Sequence, residues 1–273
     1  MKKWVKQNAA LLLWLVIPVC AGLLYPFARS DRQLLEWLSI GLLLYAIFFS
    51  VVAHELSHGL AASWCGDPTA RNAGRLTLNP LSHISLIGTI LVPLALAAAH
   101  VGVVFGWAKP VPFQPAHFKE YPRDQVMVAV AGPLANFTLA YLCANAYLLL
   151  GLGFQRLFPE SVLRFTLDPF APLSFHNAAY EGVWFVLFKI LGVGVIVNTV
   201  LGVFNLIPIP PLDGSWILKA FLPRTLLPLF GKFRVAGLIL LILALKLNWL
   251  DLFFYPAFLL LGGFQFLINV CLG

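Results

Sequence analysis

The chain alternates long apolar runs with short polar loops, and this pattern restricts it to one class of fold. Crossing a bilayer takes roughly 20 helical residues at 1.5 Å each. Runs of that kind cover residues 9–27, 36–64, 126–150, 181–205 and 235–271. Only 11% of the 273 residues are charged, against about a quarter in soluble proteins, so a chain of this size cannot cover a water-exposed surface. The sequence predicts an all-α polytopic membrane protein.

A further apolar run, 86–106, is interrupted by Pro93, His100 and several glycines. If it enters the membrane and returns, twelve Lys and Arg residues lie inside and four outside; if it crosses, the counts are seven and nine. Cytoplasmic loops are rich in Lys and Arg. We therefore expect a re-entrant segment, a cytoplasmic N-terminus, and loops 66–85 and 107–125 together on the cytoplasmic side.

These signals describe one membrane domain over residues 1–273, with about six transmembrane helices in the cell membrane. The tail 235–271 crosses once or twice. The basic N-terminus lacks a cleavage site after its apolar core, so we expect an uncleaved first span. The net charge of +7 indicates contact with anionic lipid headgroups of the bilayer rather than with nucleic acid.

A short polar motif lies inside the second apolar run. The letters HELSH, residues 54–58, match H-E-x-x-H, in which a helix places two histidines on one face to bind zinc. Glu55 lies beside His54 and His58, where a general base for water would be. Unpaired ionisable groups in hydrocarbon cost several kcal/mol. We therefore expect these three to face a polar cavity, one another or a metal ion.

A catalytic zinc usually has three protein ligands and one open position, so one ligand lies outside this motif. Most aspartates lie in polar loops, but Asp213 closes FNLIPIPPLDG, residues 204–214, where three prolines prevent a regular helix. Irregular backbone at membrane depth is tolerated only against protein or a water-filled cavity. In the re-entrant topology the spans 36–64 and 181–205 both run towards the cytoplasm. Asp213, which follows the second of them, then lies on the same side of the membrane as the two histidines.

Three motifs in this order resemble the site-2 protease family of intramembrane zinc metalloproteases. They are HELSH, GPLANF at 132–137 and NLIPIPPLDG at 205–214, with LTLNPLSHI at 76–84 and GWAKPVP at 106–112 as further context. The resemblance covers about 160 residues and is to a minimal, core-only member. It implies a bound Zn²⁺ with the ligands His54, His58 and Asp213, Glu55 as catalytic base, and Asn136 and Asn205 as residues that position the substrate.

We therefore expect a zinc metalloendopeptidase that cleaves transmembrane or membrane-adjacent segments of protein substrates, in regulated intramembrane proteolysis. Amide groups of Asn136 and Asn205 would hold substrate backbone or a developing oxyanion; the alternative is that they form interhelical hydrogen bonds. A metal transporter is the competing function, and a catalytically silent scaffold is a third. A transporter needs no base beside a ligand, so Glu55 favours the protease. The substrate and the oligomeric state are left open by these motifs.

Cleavage of a helical substrate requires that it unwind, which exposes polar backbone groups in lipid. The stretch DPTARNAGRLTLNP, residues 67–80, has a turn signal at Asn72-Ala73-Gly74 between short stretches that favour strands. This pattern predicts a small membrane-associated β-hairpin beside the zinc. Its free edge would pair with the unwound substrate.

Overall fold

A computed structural model of the protein describes residues 11–92, 95, 108–159, 180–223, 225–226, 237, 240, 243–244, 247, 249 and 251–272. Their α-helices are α1 (Leu13–Ala28), α2 (Arg32–Trp64), α3 (Thr69–Asn72), α4 (Arg123–Leu157), α5 (Glu181–Asn205), α6 (Asp213–Phe221) and α7 (Asp251–Leu272). Short 3-10 turns occupy Pro80–Ser82 and Pro115–His117, and a π-helical turn occupies Leu86–Leu91. The predicted all-helical membrane architecture is confirmed for these residues.

Four helices, α2, α4, α5 and α7, are long and apolar enough to cross a membrane. The first predicted span, 9–27, forms α1, whose 16 residues reach only about 24 Å, short of the hydrocarbon core of about 30 Å. The predicted count of about six spans is therefore not supported by the described residues. Most of the expected re-entrant segment and most of 235–250 lie outside them, so the path of both stays a prediction.

The predicted β-hairpin at 67–80 is wrong. Residues 69–72 form the short helix α3, and no strand occurs anywhere in the described ranges. Asp67 accepts a hydrogen bond from the Thr69 backbone N–H (3.0 Å), which starts a helical turn. Gly74 follows α3 with a φ of +65°. A glycine in this conformation commonly ends a helix, so the turn signal marked a helix end rather than a hairpin.

The core lies where α1, α4, α5 and α7 meet, and large aromatic side chains fill it. Tyr25 of α1 stacks on Phe185 of α5 with 4.6 Å between the ring centroids. A Cβ atom at Gly182 would collide with the backbone of Gly22, so two glycines let α1 and α5 approach at backbone distance. This packing fixes α5, which carries residues behind the candidate site.

Residues 108–119, which we call the strap, precede α4 and lie against the loop that follows α2. The Lys109 N–H donates to the His83 carbonyl (2.8 Å), and the Lys119 N–H donates to the Cys65 carbonyl (3.2 Å). Asp67, which is 0% exposed, accepts from the Gln114 N–H (2.6 Å) and from His117 Nδ1 (2.9 Å). The two loops that were expected to share a side are thus joined by hydrogen bonds at one end of the helix bundle.

Candidate metal centre

Two buried histidines of α2 face each other one helical turn apart. Asp31 caps the start of α2: its carboxylate accepts hydrogen bonds from the N–H groups of Gln33 and Leu34, and the helix continues unbroken to Trp64. His54 Nε2 and His58 Nε2 are 3.0 Å apart. The spacing of the HELSH motif therefore produces the shared face that the sequence predicted.

Asp213 is the first residue of α6, and its side chain reaches both histidines. Its Oδ2 lies 3.0 Å from His54 Nε2 and 3.2 Å from His58 Nε2. The chain turns sharply between α5 and α6, and a Cβ atom at Gly214 would lie 2.6 Å from the Ile207 carbonyl oxygen. Glycine is therefore required for α6 to begin against the end of α5. This close approach places Asp213 over α2.

Three atoms face one another here, His54 Nε2, His58 Nε2 and Asp213 Oδ2, and each carries a lone pair. His58 Nδ1 lies 2.7 Å from the Val128 carbonyl, which can only accept, so Nδ1 carries the proton and Nε2 carries the lone pair. His54 Nδ1 similarly lies 2.6 Å from Asn136 Oδ1. Asp213 Oδ2 is buried and accepts no hydrogen bond from the described residues. Three lone pairs at this distance repel one another unless a cation lies between them.

The separations also fit a specific kind of ion. A tetrahedral zinc with ligand bonds of about 2.0–2.1 Å keeps its ligand atoms about 3.3 Å apart, close to the observed 3.0–3.2 Å. Two imidazoles and one carboxylate are a common donor set for a catalytic zinc. The group formed by His54, His58 and Asp213 therefore fits a zinc ion.

Gly132 of α4 explains how a third helix approaches this group. A Cβ atom at Gly132 would lie 2.6 Å from His54 Nε2 and would also collide with His58 Nε2. Sequence reasoning recognised the GPLANF motif but not this role of its glycine. The signal was present, since a glycine inside a long helix costs about 1 kcal/mol relative to alanine and so commonly has a packing reason.

Glu55, the predicted base, lies on the loop side of the histidines. Its Oε2 accepts a hydrogen bond from the Val111 backbone N–H of the strap (3.0 Å). The strap comes this close because Gly59 has no side chain: a Cβ there would lie 2.7 Å from both Val111 and Leu76. Among the residues that the structure describes, this main-chain N–H is the one hydrogen-bond donor to the carboxylate, and the second oxygen, Oε1, accepts no hydrogen bond from them.

Arg75 holds the strap at this point. The guanidinium is buried, and its Nη2 donates to the carbonyl oxygens of Lys109 (2.6 Å) and Pro110 (3.2 Å). These are the two residues before Val111. A buried cation thus fixes the stretch of backbone that contacts Glu55, a connection that no sequence motif indicated.

The strap also contacts the helix that carries Asp213. The ring of Phe113 meets that of Trp216 edge to face, with 5.7 Å between centroids. Gln125, at the start of α4, donates from Nε2 to the Trp216 carbonyl (2.9 Å). One segment therefore contacts both Glu55 and α6.

The two asparagines named by the motifs lie in different surroundings. Asn136 is fully buried and contacts His54, whereas Asn205 donates to the Leu201 carbonyl of its own helix (3.0 Å). Asn136 Nδ2 also donates to Oδ1 of Asn198 on α5 (2.9 Å), a residue that sequence reasoning did not select. A substrate-positioning role for Asn136 and Asn205 stays a prediction.

Comparison with known proteins agrees with this geometry. A family model described as "Peptidase family M50" matches residues 42–245, a stretch that includes all three facing residues. "Putative zinc metalloprotease YwhC" of Bacillus subtilis is 34% identical over 181 residues, 66% of this chain and 69% of the relative. "Putative zinc metalloprotease Rip2" of Mycolicibacterium smegmatis is 28% identical over 228 residues, 82% of this chain and 75% of the relative. No solved structure matches the chain significantly.

Proposed function

This chain belongs to peptidase family M50, the site-2 protease family, and we propose that it cleaves transmembrane or membrane-adjacent segments of protein substrates within the cell membrane. The carrying observation is the group of three facing lone pairs on His54, His58 and Asp213, with Glu55 next to it in the chain. The competing function, metal transport, is set aside because the family is one of peptidases.

In this proposal His54, His58 and Asp213 hold zinc. A zinc ion at this place would lower the pKa of a water molecule and would polarise the scissile carbonyl. Glu55 accepts the proton from water at Oε1, because Val111 occupies Oε2, and it returns that proton to the leaving amine. Asn205, near the end of α5, remains a candidate for holding substrate backbone.

The proposed setting is multi-pass, with a cytoplasmic N-terminus and with regulated intramembrane proteolysis as the process. Four long apolar helices support the membrane location. Hydrogen bonds between Arg75 and Lys109, and between His83 and Lys109, support a course in which 86–106 enters the membrane and returns, since residues on either side of that segment lie together.

The decisive variant is Glu55→Gln, which removes the base and leaves the ligands. We expect purified Glu55→Gln protein to retain one zinc per chain while intact substrates accumulate in the membrane proteome of cells that carry it. Glu120→Gln, on the exposed partner of Arg123, is the matched control and should behave as wild type.

The variants His54→Ala, His58→Ala and Asp213→Ala should instead lose zinc. Continued cleavage by Glu55→Gln would refute the mechanism, and full zinc occupancy in Asp213→Ala would refute the ligand set.

A further inference from the structure

One buried polar residue in the middle of α5 has no part in the function proposed so far. Asn198 is 2% exposed and lies in α5, whose buried residues are mostly apolar. We propose that Asn198 is a positioning residue: it fixes the orientation of the Asn136 amide and, through it, the ring nitrogen of His54 that carries the proton. The inference rests on the proposed function only in taking His54 as a zinc ligand.

A chain of hydrogen bonds runs from His54 through Asn136 and Asn198 to the carbonyl of Gly194. The donor and the acceptor in each bond follow from this last group. Asn198 Nδ2 lies 2.9 Å from the Gly194 carbonyl oxygen. A carbonyl oxygen only accepts, so the NH₂ group of Asn198 must face Gly194 and its Oδ1 must face Asn136.

The same reasoning then fixes the next two groups. Asn136 must present its NH₂ group to Asn198 Oδ1, at 2.9 Å, so its own Oδ1 faces His54 Nδ1, at 2.6 Å. Nδ1 of His54 therefore carries the proton, and Nε2 carries the lone pair that a metal needs. The two ends of an amide group have nearly the same shape, so the hydrogen-bond network decides which end is the oxygen.

Without Asn198, little holds the Asn136 amide in this orientation. Its other acceptor among the described residues, the Ser50 carbonyl, is at 3.5 Å, beyond the usual range of about 2.7–3.2 Å for such a hydrogen bond. A half-turn of the amide would point NH₂ at His54 Nδ1. That would favour a proton on Nε2, in the place of the metal.

His58 shows the simpler solution to the same requirement. Its Nδ1 contacts a main-chain carbonyl, that of Val128, directly at 2.7 Å. His54 reaches a main-chain carbonyl by hydrogen bonds of normal length only through two side-chain amides, those of Asn136 and Asn198. The hydrogen bonds that start at the two histidines therefore both end on a main-chain carbonyl, which can only accept. For His54, Asn198 bridges the distance between Asn136 and that carbonyl.

The test measures zinc affinity by competition with a chelator in the purified full-length protein. We expect Asn198→Leu, which removes both polar atoms, to weaken zinc binding by about 10-fold, within the range known for residues behind metal ligands. Thr199→Val is the matched control: Thr199 is adjacent and equally buried, but its hydroxyl donates to the Val195 carbonyl of its own helix. It should leave the affinity unchanged.

A conservative variant and a double variant separate positioning from mere packing. Neutral aspartic acid reproduces both bonds, with its O–H donated to Gly194 and its carbonyl facing Asn136, so Asn198→Asp should stay within about threefold of wild type. If Asn198 acts only through Asn136, the double variant Asn136→Leu/Asn198→Leu should bind zinc no more weakly than Asn136→Leu alone.

Equal affinities in Asn198→Leu and Thr199→Val would overturn the inference, and so would multiplied losses in the double variant. Asn198→Ala, which deletes the same atoms without added bulk, replaces the leucine variant if that variant does not fold. A wild-type protein that binds zinc but cleaves nothing would count against the proposed function and would leave these affinity comparisons intact.

Discussion

The two sides of the metal centre are held in different ways. On the membrane side, His54 and His58 are fixed by buried groups of α4 and α5, among them the fully buried Asn136. On the loop side, Glu55 is only partly buried and is fixed by one backbone N–H of the strap. The difference matches the proposed roles of the two sides, because metal ligands must stay in place while a general base must exchange protons with water.

The solvent on each side sets how a substitution acts. A polar group that loses its partner within hydrocarbon finds no water to replace it, and the cost is several kcal/mol. A group that loses its partner near the membrane surface can bind water, and the net cost of the bond is about 1 kcal/mol. We therefore expect severe effects on the membrane side and graded effects on the loop side.

The largest effect is expected for Gly132→Ala. The new Cβ atom would lie 2.6 Å from His54 Nε2, so α4 and α2 must move apart and the ligands separate. We expect loss of bound zinc and of cleavage, measured by metal analysis and by substrate accumulation. Gly153→Ala, in the same helix with nothing within 4 Å of its Cβ position, should keep both. Full zinc occupancy in Gly132→Ala would show that the membrane side is less rigid than described.

A smaller effect is expected for Arg75→Leu on the loop side. The variant frees the carbonyls of Lys109 and Pro110, so the Val111 N–H no longer holds Glu55 in one place. General bases contribute about 10²–10⁴-fold to a rate, and we expect partial displacement to lower kcat about 10-fold with zinc content unchanged. Arg71→Leu, at an exposed arginine, is the control. Loss of zinc in Arg75→Leu would contradict the proposed difference between the two sides, because the loop side would then also be needed for metal binding.

The smallest effect is expected for Asp67→Asn, which changes the anchor of the strap but not its contact with Glu55. Burial would by itself raise the pKa of the Asp67 carboxyl, but hydrogen bonds from Thr69, Gln114 and His117 outweigh it and lower the pKa. A lowered pKa stabilises the folded protein fully above the unfolded value of about 3.9 and less as the pH falls below it.

Asp67→Asn should therefore reduce the free energy of unfolding by about 1–3 kcal/mol near neutral pH, and by less in acid. Thermal unfolding of both proteins in detergent, at pH 7 and at a pH well below about 3.9, measures this difference. A gap between the two proteins that widens in acid would contradict the assigned direction.

The sequence identified the residues whose chemistry is restricted, and it missed those whose role depends on helix rotation. His54, His58 and Asp213 could be predicted as a group because few residue types bind zinc and three prolines before Asp213 indicated an irregular chain, and the structure brings the three together. Asn198 looks like any asparagine in an apolar run until the relative rotation of α4 and α5 brings it to Asn136. That rotation depends on packing contacts that no local pattern encodes.

The error at residues 67–80 has a related cause. Asn72-Ala73-Gly74 fits the end of a helix as well as a hairpin turn, so local signals are ambiguous there. The choice is made by Asp67, which contacts Thr69 nearby and Gln114, 47 positions along the chain. A contact over that separation lies beyond any short sequence window.

The division of the ligands between α2 and α6 has a consequence for the timing of synthesis. His58 leaves the ribosome about 155 residues before Asp213, and at about 5–20 residues per second this separates them by about 8 to 30 seconds. During that interval the growing chain carries His54, Glu55 and His58 but not Asp213. The proposed hydrolytic site therefore cannot be complete until α6, which carries Asp213, has been synthesised.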